Sequence, residues 1–255
     1  GDTVSGQFEA GYGAHDRWQL RGSVDIPLDR IAAIKLSAFL QDDRGYARNA
    51  VTGENLNNGD RAGLRLGLRL EPAAGLSWNA AVSYIESNGE NLMAVRCGPA
   101  DPADCGGRRI STGMVSDRLI GGVPQYSVPV TGRKANFALG NALSTTLVTS
   151  DLEWAGDRVR LNLLTGYVSM EEAYALDFGD GRGLPDLGTP RPVVRGFIDG
   201  GRSRLTDGSH SQFSQEVRLS ATLGPVELTL GGLYLTLDEA ADVADIETLE
   251  NGTAT

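Results

Sequence analysis

Apolar and polar residues alternate along most of this chain, and this period of two restricts the fold more than any other feature. Residues 61–71, RAGLRLGLRLE, show it best, because every second residue is Ala or Leu and the rest are Arg, Gly or Glu. On a helix these leucines would point all round the axis, whereas on a strand they form one stripe. The pattern predicts nine strands, at residues 4–13, 17–26, 32–40, 61–71, 76–86, 148–154, 158–168, 213–223 and 226–235.

Strand length and connection length favour a membrane barrel over a soluble sandwich, in which strands also alternate. The predicted strands run to about ten residues, as tilted membrane strands do, rather than the roughly five or six of soluble proteins. Tight turns also alternate with long polar segments, an arrangement typical of outer-membrane barrels. The turns are residues 27–30, 72–75, 155–157 and 224–225, and the long segments are 41–60, 87–146 and 169–210.

Aromatic residues near the strand ends, on the apolar face, are a third indication of a membrane. Rings at both edges of an apolar band are typical of a lipid interface. We therefore expect a lipid-facing aromatic girdle with one row near the long segments and one near the tight turns. The first row is Tyr12, Trp18, Tyr84, Tyr167 and Tyr234, and the second is Trp78 and Trp154.

The polar faces of the predicted strands carry many charges, most of them Arg, which could not line a narrow dry core. They fit a wide lumen, or one packed against a polar internal domain. The whole chain has 23 Lys and Arg against 33 Asp and Glu, a net charge of −10. This balance argues against nucleic-acid binding, which depends on Lys and Arg neutralising phosphates. No apolar run approaches the roughly 18 residues of a membrane helix.

Two cysteines, Cys97 and Cys105, lie close together in a segment rich in Gly, Pro and Asp. The chain has only two histidines, His15 and His210, both far from the cysteines in sequence, so a four-ligand metal site is not expected. A local disulfide is the favoured interpretation and would place the chain in an oxidising compartment. The alternative is two unpaired loop thiols. We expect no metal and no cofactor.

Several segments resemble TonB-dependent outer-membrane receptors. GQFEAGYG at 6–13 and WQLRGSVDIPL at 18–28 are similar to the start of that family's barrel. RGYARNAVTGENLNNGD at 44–60 is similar to its first long outer loop, and FSQEVRLS at 213–220 and GGLYL at 231–235 to later strands. The resemblance implies an all-β fold: an antiparallel transmembrane β-barrel segment of about nine to ten strands, part of a roughly 22-stranded barrel.

Such receptors import a scarce ligand, such as a ferric siderophore, across the bacterial outer membrane with energy from the TonB complex. An N-terminal plug domain closes the barrel and contacts that complex. The resemblance implies that residues 1–255 are the N-terminal part of the barrel domain, with the plug and the rest of the barrel outside this sequence. It also implies a transport protein rather than an enzyme, with the lipid bilayer, an extracellular ligand such as an iron chelate, and the TonB complex as partners.

Candidate ligand-binding residues lie in the long segments. Tyr46, Arg48 and Asn49 match the aromatic-Arg-Asn sequence of the family's first outer loop. Segment 87–146 contains a cluster of basic residues, which indicates a cationic mouth for an anionic ligand, with solvated loop charge as the alternative. The arginines of this cluster are Arg108, Arg109, Arg118 and Arg133.

Three other functions remain open from the sequence. A passive porin would share the charged lumen but have no plug. A hydrolase at the barrel rim would use acid and His residues, for which His15-Asp16 and Ser209-His210 are the candidates. A soluble, lectin-like sandwich would place the apolar faces in its core.

Overall fold

The computed structural model describes residues 3–49, 55–56, 58–89, 110–111, 125–127, 136–138, 141–177 and 201–248. Within these ranges the chain forms strands and one three-residue 3-10 turn, Ala14–Asp16. In chain order the strands are β1 (Ser5–Gly13), β2 (Arg17–Asp29), β3 (Ala32–Asp43), β4 (Ala47–Asn49), β5 (Asn55–Leu56), β6 (Gly59–Ala73), β7 (Leu76–Gly89), β8 (Ile110–Ser111), β9 (Gln125–Ser127), β10 (Asn136–Ala138), β11 (Asn141–Ala155), β12 (Val159–Asp177), β13 (Gly201–Leu223) and β14 (Val226–Thr248).

Nine of these strands form one antiparallel sheet in the order β1-β2-β3-β6-β7-β11-β12-β13-β14, which is also their order along the chain. They are the nine strands that the period of two predicts. The short strands form two small sheets, β5-β4-β8 and β10-β9. Within the described ranges, no helix is long and apolar enough to cross a membrane.

Every strand of the large sheet except β1 is longer than the sequence pattern predicted. β12 has 19 residues, and β13 and β14 have 23 each. The predicted long segments 87–146 and 169–210 are correspondingly shorter, because strand structure reaches Gly89 and Asp177 and resumes at Asn141 and Gly201. β12, β13 and β14 therefore continue well beyond the roughly ten residues that cross a bilayer.

The register of the sheet places the apolar stripes on one face. Directly opposed residues of neighbouring strands project from the same side, and one such row is apolar across seven strands. Its Cα partners run in order through Val24, Leu36, Leu66, Val82, Val148, Tyr167 and Phe213. Leu66, in the middle of this row, is 44% exposed. An apolar face of this extent needs a cover, and lipid provides one.

The opposite, polar face is concave. A cavity of about 1080 Å³ lies against it, lined by polar residues such as Lys35, Arg69 and Asn79 and by apolar residues such as Leu164 and Leu233. Residues near both edges of the sheet contribute to the same cavity, Ser5 on β1 and Leu233 on β14. The sheet therefore curls so that its charged face looks inward and its apolar face outward.

Both edges of the sheet are open within the part of the chain that the structure describes. β1 pairs only with β2 and β14 only with β13, so each edge strand has one side without a partner strand along the length that lipid covers. In hydrocarbon, each unpaired backbone N–H or C=O group costs several kcal/mol. The described sheet thus has the form of a barrel segment, as the sequence predicted, that requires further strands at its edges.

Backbone hydrogen bonds also join the tight turns at one end of the sheet. Ala155 donates its N–H to the Gly75 carbonyl at 2.6 Å, and Glu71 donates to the Ile31 carbonyl at 2.7 Å. Gly75 has a φ of +73°, in the left-handed region that favours glycine. A Cβ at this position would lie 2.1 Å from the Ala155 carbonyl oxygen. Gly75 is therefore restricted both by its own backbone and by the neighbouring turn.

Replacing Gly75 by Ala should lower stability more than the matched change at Gly224. Gly224 also has a positive φ, +64°, but a Cβ there meets nothing within 4 Å. Both variants should incur the left-handed backbone cost of about 1–2 kcal/mol, and Gly75→Ala must also displace the Ala155 carbonyl. Urea unfolding followed by heat-modifiable gel mobility measures the difference. Equal destabilisation of the two variants would contradict the turn–turn contact.

Lipid access should alternate along β6 in the full-length protein in bilayers. Leu64 and Leu66 lie on the apolar face, and Arg65 and Gly67 on the concave face. Nitroxide labels at positions 64 and 66 should be relaxed by oxygen dissolved in lipid, and labels at 65 and 67 should not. Electron paramagnetic resonance power saturation measures this access, and four equal values would exclude a lipid-facing stripe here.

Candidate functional site

The concave face near the tight turns carries paired charges. The Lys35 ammonium lies 3.1 Å from an Asp25 carboxylate oxygen. The other pairs on this part of the wall are Arg69–Glu71, Arg160–Glu153 and Arg218–Glu216. The side chains are largely solvent-exposed, so each pair contributes only about 0–1 kcal/mol to stability. Their main effect is that the concave face near the tight turns is polar but carries little net charge.

Two side chains of the concave face, Ser83 and Asp151, have buried polar atoms. Arg65 donates from Nη1 to the Ser83 hydroxyl at 2.9 Å, and Ser83 is only 8% exposed. Asp151 lines the cavity, and its Oδ1 atom is buried without a hydrogen-bond partner in the described part of the chain. Sequence reasoning did not single out Asp151, because an isolated acid on a polar face carries no local signal.

Phe39 covers a glycine of the neighbouring strand on the concave face. Phe39 and Gly63 are Cα partners on β3 and β6, and a Cβ at Gly63 would lie 2.3 Å from Phe39 Cε1. The ring therefore lies across the glycine backbone, in the arrangement by which aromatic residues protect glycines in sheets. The contact was not predicted, since only the register shows that these two residues face each other.

We call the end of the sheet away from the tight turns the rim. At the rim, the turn between β1 and β2 contacts the segment that follows β3. His15 and Asp16 have positive φ values of 64° and 54°, uncommon for residues other than glycine. Asp16 accepts a hydrogen bond from the Tyr12 hydroxyl at 2.7 Å and lies 3.3 Å from Arg44 Nη1. The His15 and Tyr46 rings are 6.1 Å apart. Tyr46, a predicted ligand-binding residue, thus lies at this rim.

The aromatic residues predicted to form a girdle lie on the apolar face at both ends of the sheet. Tyr12 and Trp18 are Cα partners near the rim, and Trp18 Nε1 donates to Asp42 at 2.9 Å. Toward the tight turns, Trp154 on β11 is the Cα partner of Leu76 on β7. Trp78 lies two residues after Leu76 on the same strand, so the two tryptophans are close to each other on this face. The other members, Tyr84, Tyr167 and Tyr234, are exposed near the rim side of the same face, together with Phe8 and Phe213, which were not predicted. Contact of these rings with lipid stays a prediction.

Polar residues on the apolar face have partners of their own. Ser150 accepts a hydrogen bond from Trp78 Nε1 at 2.8 Å. Gln215 accepts from the Thr165 hydroxyl at 2.7 Å and donates to the Leu164 carbonyl at 3.0 Å. The Trp78 Nε1–H, the Thr165 hydroxyl and the Gln215 amide N–H can therefore lie against hydrocarbon with a hydrogen-bond partner.

The remaining predicted site residues are only partly described. Arg48 and Asn49 lie on β4, where Arg48 is the Cα partner of Ile110 on β8. Their role in ligand binding stays a prediction. Within the described residues, no group of three or more His, Cys, Asp or Glu could hold a metal ion. Arg108, Arg109, Arg118 and Arg133, and the predicted disulfide pair Cys97 and Cys105, lie outside the described residues.

Comparison with known proteins finds similarity in structure but not in sequence. No family model and no curated protein matches the chain. The ferripyoverdine receptor of the outer membrane of Pseudomonas aeruginosa, bound to ferripyoverdine, matches 94% of this chain at 12% identity and a TM-score of 0.55. A complex of FpvAI with pyocin S2 matches 96% at 11% identity, with a TM-score of 0.55. The unliganded ferric citrate transporter FecA matches 97% at 14% identity, with a TM-score of 0.52.

These likenesses show the fold. The described sheet has the architecture of part of an outer-membrane receptor barrel, so the predicted fold class and the predicted resemblance to such receptors are confirmed at the level of the fold. The predicted location in the outer membrane agrees with this fold. The chain spans 28–30% of the length of these three structures.

The contact between Phe39 and Gly63 gives a prediction with a matched control on the same strand. Gly63→Ala should displace the Phe39 ring and destabilise the sheet, whereas Gly67→Ala should be tolerated, since its Cβ would be 3.8 Å from the nearest atom, on Lys35. Combined with Phe39→Ala, Gly63→Ala should lose most of its effect. A double-mutant cycle in urea unfolding measures the coupling, and additive effects would show that the ring does not restrict position 63.

Proposed function

We propose that residues 1–255 form the first part of the barrel of a bacterial outer-membrane receptor. This receptor imports a scarce ligand, such as a ferric siderophore, with energy from the TonB complex. The plug domain and the remaining strands belong to the same full-length protein. The single observation that carries the proposal is the nine-stranded curled sheet, apolar outside and charged inside, which shares its fold with the ferripyoverdine receptor and FecA.

The height of the wall supports a receptor over a passive porin. Phe213 lies at the rim-side row of aromatics, and β13 extends a further 12 residues beyond it, to Gly201. At about 3.3 Å per residue this is roughly 40 Å along the strand. β12 and β14 pair with it along this extension. A tall external wall offers surface for capturing a ligand before import, which an open diffusion channel does not need.

The rim-hydrolase alternative receives no support from the described residues. Ser209 and His210 are adjacent on β13, so their side chains project from opposite faces of the sheet. At the other candidate pair, Asp16 is bonded to Tyr12 and Arg44, and the His15 ring faces Tyr46. Within the described residues, neither histidine is hydrogen-bonded to an acid or a hydroxyl, so neither pair forms the general base that such a hydrolase requires. A transport protein is therefore the better proposal than an enzyme.

Uptake of a radioactive ferric chelate by iron-limited cells tests the proposal. Deleting the gene should abolish uptake of at least one chelate, and restoring the full-length gene should recover it. An uncoupler that collapses the proton gradient should stop uptake without changing binding to the cell surface. Uptake that continues after uncoupling would instead support a passive channel, and uptake unchanged by the deletion would contradict a role in iron import.

A further inference from the structure

Three polar residues form a row across the apolar face of the sheet. They are consecutive Cα partners on β11, β12 and β13, so their side chains project together from a face that is otherwise apolar. We call this row the polar groove: Ser150, Thr165 and Gln215. Strands that alternate between lipid and lumen carry apolar residues at such positions, so contact with hydrocarbon alone does not account for the row.

Larger apolar side chains lie on both sides of the polar groove. The three groove residues are half-buried, whereas their neighbours toward the rim are 36–39% exposed. Residues two apart on a strand share a face, so these neighbours and those toward the tight turns flank the groove. The rim-side neighbours are Val148, Tyr167 and Phe213, and the others are Leu152, Leu163 and Val217. The groove is therefore a shallow polar channel that runs across three strands.

The polar groove has hydrogen-bonding capacity that the described residues do not use. The Ser150 hydroxyl accepts from Trp78 Nε1 at 2.8 Å, but it donates to no group in the described part of the chain. The Thr165 hydroxyl donates to Gln215 Oε1 at 2.7 Å and, among the same residues, accepts from none. Hydrocarbon offers no water to such groups. One free donor and one free acceptor therefore lie side by side on the apolar face.

A single oxygen atom can bond both free groups. Directly opposed side chains on neighbouring strands have Cβ atoms about 4.5–5.5 Å apart, and hydroxyl oxygens lie about 2.7–2.8 Å from their hydrogen-bond partners. An oxygen between Ser150 and Thr165 can thus accept from the first and donate to the second. A hydroxyl group does both, whereas a carbonyl oxygen only accepts.

The depth of the polar groove indicates where this hydroxyl lies on its molecule. Thr165 is two residues from Tyr167, and Gln215 is two residues from Phe213, at the rim-side row of aromatics. Two residues span roughly 6.6 Å along a strand, and less along the bilayer normal because membrane strands are tilted. Aromatic rings of this kind lie at headgroup level. The groove therefore lies beside the part of an acyl chain that is close to the headgroup.

We propose that the polar groove binds a lipid whose acyl chain carries a hydroxyl group close to the headgroup. Ser150 donates a hydrogen bond to this hydroxyl, Thr165 accepts one from it, and the chain packs between the flanking apolar residues. In the proposed receptor the rim faces outward, so the lipid belongs to the outer leaflet. This lipid site goes beyond the proposed transport function and does not depend on the imported ligand.

Three phosphatidylethanolamines test both the hydroxyl and its position. Their stearoyl chains carry a hydroxyl on the third carbon, on the twelfth carbon, or not at all, and different isotope labels distinguish their masses. The full-length protein is incubated in detergent with an equal mixture and studied by native mass spectrometry. It should retain the first lipid about three- to tenfold more than either of the others, as expected for one net hydrogen bond. Equal retention of all three would overturn the proposal.

Paired substitutions remove the site without leaving a buried donor unpaired. Thr165→Val with Gln215→Leu deletes a hydroxyl together with its partner, and Ser150→Ala with Trp78→Phe does the same on the donor side. Each pair should abolish the lipid preference. The matched control Thr149→Val, on the concave face of β11, should keep it. Heat-modifiable gel mobility identifies the variants that fold, and a preference that survives in a folded paired variant contradicts the site.

A second copy of the protein is the other occupant that could supply a hydroxyl to the polar groove. The same mass spectra distinguish this case. Monomers that carry the preferred lipid support the proposal. Dimers that Thr165→Val with Gln215→Leu separates into monomers, together with equal retention of the three lipids, would make the groove a protein interface and the lipid site wrong.

Discussion

The backbone hydrogen-bond ladder is the constraint on which the rest of this structure depends. In hydrocarbon no water is present to bond a free N–H or C=O, so each strand must be paired along the length that lipid covers. Side chains on the apolar face obey the same rule, as Gln215 shows by bonding both Thr165 and the Leu164 carbonyl. β1 and β14, each paired on one side only within the described residues, mark where the ladder must continue.

The ladder also fixes the chemistry of the two faces through its register. Leu66 lies between Leu36 and Val82, and its neighbour Arg65 lies between Ser37 and Ser83. A slip of one residue would turn Arg65 toward lipid and Leu66 toward the cavity. Because every strand in the apolar row would incur this cost, the alternating sequence selects one register over the whole sheet.

The sequence predicted the parts of the strands that cross lipid better than the parts that lie outside it. The lipid-crossing parts were predicted, because only there does one face need to be apolar while the other is polar, as in β6. The upper parts of β12, β13 and β14 were missed, since they show no apolar stripe: residues 201–212, for example, contain a single large apolar residue, Leu205. At the site, the girdle aromatics carry a local signal. The pairing of Phe39 with Gly63 and the bond between Asp16 and Arg44 do not, because they join distant positions.

The unequal heights of the strands connect this architecture to ligand capture. β2 and β3 have 13 and 12 residues, whereas β12 has 19 and β13 and β14 have 23 each, so the sheet is taller on the β14 side than on the β1 side. The three long strands stay paired along this extension, so the added height is a continuous sheet rather than three separate strands. In the proposed receptor this part of the sheet stands outside the lipid and offers a continuous surface to a ligand in solution.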